Sequence, residues 1–258
     1  MHSVRSETVR TENCSEQIYD RHCHTDFEIL FVLRGSILLN LEGVQLRLRE
    51  NTGVIIAPMK YHVVTGDDSS YHRLILTFGP EAVPGVILEK FRKAVLEYAL
   101  ITDGPMIEGL QRYAEITEKR DPVFAPLEVA LLTQILYGLT FGTSAAGTEA
   151  ENKRAERLRQ ITSFVERNLH REISLGEIAA RLYVSESSLC HFFRQDMNIS
   201  LKQYILQKKM IYAKSLLETG TPPTTAAQLC GYKNYASFYK IFLKVTGQTP
   251  GQVAERWK

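Results

Sequence analysis

The chain has little cysteine and no long apolar run. Its four cysteines, at positions 14, 23, 190 and 230, never fall at CxxC spacing. That argues against a thiolate metal ribbon or a disulfide-stapled scaffold, and leaves free thiols of a reducing cytoplasm as the expectation. No stretch of about 18 consecutive apolar residues occurs, so no membrane-spanning helix is expected. The opening MHSVRSETVR is polar, without an apolar core segment, so no secretory signal is expected either. A strong net charge is missing as well: 31 Lys and Arg against 29 Asp and Glu leave +2. With 44% apolar residues over 258 positions, the chain can bury two globular cores.

The near-neutral total conceals a split. Residues 1–151 carry 14 basic and 21 acidic residues, net −7, whereas residues 152–258 carry 17 and 8, net +9. Such asymmetry points to a polyanionic partner for the basic half.

Periodicity divides the chain in the same place. Short apolar runs closed by Gly or Pro predict strands over 27–33, 36–43, 44–50, 51–58 and 71–79, a set that suits a small barrel or sandwich. From Val86 the spacing becomes helical, predicting helices over 86–100, 106–120 and 126–141. The last two carry more apolar surface than one small barrel needs, which makes them candidates for core or for a homodimer interface. GTSAAGTEAENK (142–153) has the composition of a linker. Two domains follow, 1–145 and 153–258.

Beyond the linker every segment is helical, and one unit occurs twice at a shift of 49 positions. Leu189 corresponds to Phe238, Phe193 to Phe242, Asn198 to Gly247 and Ser200 to Thr249. Ser174 with Glu177 has capping-box spacing, Ser185 and Asn234 are candidate caps, Gly220 and Gly247 are stops, and Pro250 suits a first turn. Each repeat reads as helix, tight turn, helix. In the first, Leu189, Phe192 and Phe193 form an inward stripe, with Glu186, Ser187, Cys190, His191 and Arg194 outward. In the second, Phe238, Ile241, Phe242 and Val245 go inward, with Tyr235, Ala236, Ser237, Lys240 and Lys244 outward. The joining helix, 201–219, spans roughly 27 Å at ~1.5 Å per residue, against ~34 Å between successive major-groove openings on one face of a duplex.

GYKNYASFYKIFLKVTGQTPGQVAER (231–256) and ISLGEIAARLYVSESSLCHFFRQDMNISLKQYI (173–205) resemble the two units of AraC/XylS-type transcription regulators, over roughly residues 155–258. The resemblance implies a cytoplasmic regulator rather than an enzyme, one that binds double-stranded promoter DNA and often touches RNA polymerase. Its base-facing positions fall on Ser187, Cys190 and His191 in the first recognition helix, and on Tyr235, Ala236, Ser237 and Lys240 in the second. Ser185, Asn234, Arg194 and Lys244 stand where phosphate contacts are expected. Two departures matter. His191 replaces the Arg of many members, and the first recognition helix has no bidentate Arg or Gln toward a base edge, a contact worth ~1–3 kcal/mol each. Its readout then leans on shape, thymine methyls or phosphates. The second unit has TTAAQLC where bulkier aliphatics are common, which predicts looser packing.

In the first half, His22, His24, Glu28 and Gly35 have the spacing of the first cupin motif, and NTGVIIAPMKYH, ending in His62, resembles the second. The second motif departs in its shorter Pro58-to-His62 step and in Lys60 at the usual glycine position. Three uses of His22, His24, Glu28 and His62 stay open. They suit one divalent metal, the hydroxyls of a small organic effector such as a sugar, or hydrogen bonds at a barrel mouth. Phe27, Phe31 and Tyr61 are candidate stacking faces. Regulators of this type imply an organic effector and no resident cofactor. The fold class expected is therefore α+β: a cupin-like β-barrel with a helical dimerisation segment, then an all-α domain with two helix-turn-helix units. The competing expectations are a metal-dependent cupin enzyme fused to a DNA-binding domain and a nonspecific DNA-packaging protein.

Overall fold

The computed structural model describes residues 4–11, 23–66, 70–95, 98–102, 104–119, 121–142, 153–197 and 199–255. The chain divides into two compact units, Met1–Ala150 and Glu151–Lys258.

The first unit is built from antiparallel strands whose alternation sorts side chains onto two faces. Five strands form one sheet in the order β1 (Arg5–Thr11), β7 (Tyr71–Phe78), β2 (Phe27–Arg34), β5 (Gly53–Ile56), β8 (Tyr98–Ile101). Three form another: β4 (Val44–Arg49), β3 (Ser36–Leu41), β6 (His62–Gly66). Leu30, Val32, Val54, Ile56 and Tyr71 of the larger sheet meet Ile37, Leu39, Leu41, Leu48 and Val64 of the smaller in one buried cluster. The expected barrel is thus, among the described residues, two sheets face to face and not one closed cylinder. Between β2 and β3 the chain turns at Gly35, where φ is +79° and a Cβ would stand 2.5 Å from the Ser70 carbonyl oxygen. Only glycine fits there.

The other face of the larger sheet carries Phe27, Ile29, Phe31, Leu74, Leu76 and Phe78. Helices α1 (Leu88–Ala94), α2 (Gly104–Lys119) and α3 (Ala125–Phe141) cover it with Phe91, Leu110, Tyr113, Leu132, Ile135 and Leu139. Phe27 stacks on Phe78 at 5.7 Å and meets the edge of Phe91 at 5.0 Å. Phe27 and Phe31 therefore belong to the sheet–helix core and offer no stacking face between the sheets. The segment Pro122–Phe141 is long and apolar enough by composition to cross a membrane, but its inward side chains are core residues of this unit.

Two expectations are corrected. The helix predicted over 86–100 is a helix only to Ala94; Tyr98–Ile101 forms β8, pairing Gly53 with Ile101 and Ile56 with Tyr98. Four apolar residues fit a helix or a strand equally by pattern, and burial of Ala99 and Ile101 against the helices decides for the strand. Strands β1 and β6 lie outside the predicted strands; β1 is polar, and an edge strand with one solvated face has few apolar residues to announce it.

The second unit comprises α4 (Lys153–Arg167), α5 (Leu175–Arg181), α6 (Glu186–Met197), α7 (Leu201–Glu218), α8 (Pro223–Leu229), α9 (Tyr235–Thr246) and α10 (Pro250–Glu255). The 49-residue repeat extends to its hydrogen bonds. Ser185 Oγ accepts from Ser188 N at 3.1 Å, and Asn234 Oδ1 accepts from Ser237 N at 3.2 Å. Ser200 and Gln203 form a capping box, and Thr249 with Gln252 repeats it. These bonds satisfy amide groups that every helix start leaves bare. Leu189 and Phe193 are buried in the first repeat, with Phe193 against Tyr204 at 5.2 Å; Phe238 and Phe242 are buried in the second. Ala226 and Ala227 are fully enclosed beside Met210, Phe238 and Phe242. Small side chains at α8 bring that helix onto the core and expose none of it.

Candidate functional site

The two repeats are joined through α7. Lys209, a buried side chain, donates from Nζ to the Arg171 carbonyl at 2.6 Å and the Cys230 carbonyl at 2.8 Å. Burial depresses its amine below the usual lysine value. The preceding Lys208, wholly buried, pairs with Glu166 of α4 at 2.9 Å. At Gly231 φ is +79°, and a Cβ would lie 2.9 Å from backbone atoms of Arg171 and Glu172. The turn before the first helix-turn-helix and the turn inside the second thus touch backbone to backbone. Two lysines in the joining helix do not stand out in the sequence, because burial of a cation leaves no mark in periodicity.

On α6, Ser187, His191 and Arg194 are exposed and Cys190 is half-buried; on α9, Tyr235, Ala236, Ser237, Lys240 and Lys244 are exposed. The caps Ser185 and Asn234 are exposed at the two helix starts. Phe192, expected inward, is only half-buried, with the guanidinium groups of Arg154 and Arg157 over its ring at 5.8 and 5.6 Å. Tyr239 and Leu243 are exposed as well; sequence periodicity leaves them unassigned. Cys190 and Cys230 are free thiols. Burial pushes the Cys230 thiol up to about 12, which makes it an inert core residue.

In the first unit, His24, Glu28 and His62 come together, with ligating atoms within 4.8 Å of one another. His22 lies outside the described residues. His24 Nε2 is 2.7 Å from Glu28 Oε2, and His62 Nε2 is 3.5 Å from the same oxygen. Both rings turn Nδ1 to a backbone carbonyl, Asp26 for His24 and Lys60 for His62, each at 2.9 Å. A carbonyl only accepts, so Nδ1 carries a proton in both and both Nε2 atoms face the carboxylate. Burial alone would raise the Glu28 carboxyl; hydrogen bonds and charge from His24 and His62 outweigh it and hold it well below the usual carboxylate range. For His62, burial lowers the imidazole, and Glu28 reverses this to a net rise. Such a trio can bond a ligand's hydroxyls or hold one divalent cation.

Sequence reasoning missed Arg73. It is fully buried, on the same face of β7 as Tyr71, with its guanidinium 5.5 Å from the Tyr71 ring centroid. Opposite Val32 in the ladder, it lies toward the other end of β2 from Glu28. The signal available was a lone Arg inside the alternation of YHRLILTF.

A family model described as an AraC-like ligand binding domain matches residues 7–136, half of the chain, and one described as a helix-turn-helix domain matches residues 178–256. The chain belongs to the AraC/XylS-type transcription regulators. Among curated relatives, the probable transcriptional regulator LumQ of Photobacterium leiognathi is 32% identical over 103 residues, 39% of this chain and 42% of LumQ. The transcriptional activator RhaR of Yersinia pestis bv. Antiqua (strain Angola) is 24% identical over 274 residues, covering 96% of this chain and 88% of RhaR. This AraC-type chain spans less than half the length of LumQ and of the uncharacterized regulator YdiP of Escherichia coli, 42% and 41%. Of solved structures, ToxT of Vibrio cholerae O395 aligns over 98% of this chain and 97% of its own, at 12% identity and a TM-score of 0.44. LumQ, YdiP and RhaR are all named as regulators of transcription, not as enzymes.

Proposed function

We propose that this AraC-type chain is a one-component regulator. Its second unit reads promoter DNA through α6 and α9, and its first unit holds a small effector. The observation that carries the reading is the repeat itself: two helices with matched caps and matched buried aromatics, each turning exposed side chains outward from a segment of net charge +9. Ser187, Cys190, His191, Tyr235, Ala236, Ser237 and Lys240 meet base edges, while Ser185, Arg194, Asn234 and Lys244 meet phosphates. Gel shifts with promoter fragments test it. Preference for one fragment that persists as salt rises supports the reading, and uniform binding that salt abolishes equally everywhere contradicts it.

His24, Glu28 and His62 bond the hydroxyls of a sugar or related metabolite in the first unit. A ligand with higher affinity for one arrangement of the chain shifts its equilibrium toward that arrangement and so alters DNA binding. A thermal-shift screen of sugars, sugar acids and aromatic acids against the full chain tests this. A hit whose effect vanishes in His24→Ala supports the site, and a hit insensitive to that change removes it. The trio's geometry also favours a divalent cation, and elemental analysis of purified protein distinguishes the two.

A second copy of the chain pairs along α3, whose outer face leaves Val129, Tyr137 and Phe141 exposed, with Tyr137 and Phe141 stacked at 6.0 Å. RNA polymerase is the further partner, in the cytoplasm. Sedimentation of the chain with Tyr137→Ser and Phe141→Ser is expected to show monomers.

A further inference from the structure

The outward face of α9 is split by chemistry. At about 100° per residue, Tyr235, Tyr239 and Leu243 advance by about 40° each and form one stripe. They are 38%, 36% and 40% exposed. The rings of Tyr235 and Tyr239 lie 6.4 Å apart, and Ala236 continues the apolar side. Lys240 and Lys244 occupy the other side of the exposed arc, and Lys233 stands just before the helix. The 49-residue shift matches Tyr235, Tyr239 and Leu243 with Glu186, Cys190 and Arg194 on α6. One recognition helix is polar along this line and the other is apolar.

We infer that α9 reads thymine methyl groups through Tyr235, Tyr239 and Leu243, so that the half-site of the second repeat is thymine-rich. This deepens the DNA-binding reading and rests on it. In the major groove every base presents hydrogen-bonding atoms, and thymine alone adds a methyl group that an apolar side chain can cover. The stripe begins at the N-terminal part of α9, the part of a recognition helix that reaches base edges. Beside it, Lys233 and Lys244 suit the phosphates that flank a groove floor, while Lys240 keeps its base edge. That charge favours DNA over an apolar protein surface as the occupant.

The test uses the full chain. Sites are selected from a random duplex library, and thymines of each half-site are then replaced by deoxyuridine, one half at a time. Each methyl lost from an apolar contact is expected to weaken binding about fourfold, in one half only. Tyr239→Ser and Leu243→Ser should make that half indifferent to the replacement, while Lys93→Ala, at an exposed position of α1, keeps the effect. Both serine variants alter exposed positions, and an unchanged melting temperature verifies their folding. Selected sites without thymine enrichment, or binding blind to deoxyuridine in both halves, would overturn the inference and leave DNA reading intact. Unaltered DNA binding by the serine variants with lost transcription activation would also overturn it, assigning the stripe to a protein. Absence of any selected sequence would bring down the DNA-binding reading and this inference together.

Discussion

Ser185 and Asn234 cap their helices with the same bond, and Phe193 and Phe242 fill equivalent places in two cores. Glu186, Cys190 and Arg194, however, share nothing with Tyr235, Tyr239 and Leu243 except position. The inner half of each repeat is constrained by packing, where shape and volume decide. The outer half is free of that constraint, and the two copies carry different side chains there. A duplicated fold thus supplies two outward faces, tied together through Lys209 and the Gly231 turn, each free to acquire its own chemistry.

If the shared plan is correct, Phe193→Ala and Phe242→Ala each cost about 3–5 kcal/mol of stability, the usual range for a buried aromatic. Denaturant melts showing a large loss for one and almost none for the other would break the equivalence of the cores. Next in size is the seam. Lys209→Met leaves the Arg171 and Cys230 carbonyls without their charged donor, at about 2–3 kcal/mol. A drop of that size in calorimetry supports a rigid pair, and an unchanged melt shows the repeats to be independent. On the outer faces, Lys240→Ala should weaken specific DNA binding about tenfold and relax the base preference at the position it reads. Lys93→Ala removes the same charge from the first unit and should do neither; equal effects would reduce Lys240 to bulk charge. The smallest difference concerns the caps. Ser185→Ala and Asn234→Ala should each cost about 1 kcal/mol, visible as similar shifts in melting temperature.

The second unit is readable in the sequence almost element by element, because a local 3.6-residue period, caps and glycine stops leave marks within a few positions of each other. The first unit is less so. Strands pair over long separations, as Arg5 with Thr77 does, and no local pattern announces β1 or the switch from α1 to β8. Of the candidate site residues, His24, Glu28 and His62 are found by spacing and do converge. Arg73, Lys208 and Lys209 are not, since a buried cation depends on tertiary neighbours that composition does not reveal. Tyr239 and Leu243 escape because exposure of an apolar residue in an amphipathic helix contradicts the pattern used to find the helix, and such conflicts gather at functional surfaces.

Hydroxyl-radical footprinting of the full chain on a selected site tests the central claim most directly. Reading by α6 and α9 together predicts two protected tracts on one face of the duplex, about one helical turn apart, with Lys240→Ala thinning one tract and His191→Ala the other. Protection of a single tract, or two tracts that both respond to the same substitution, would contradict it.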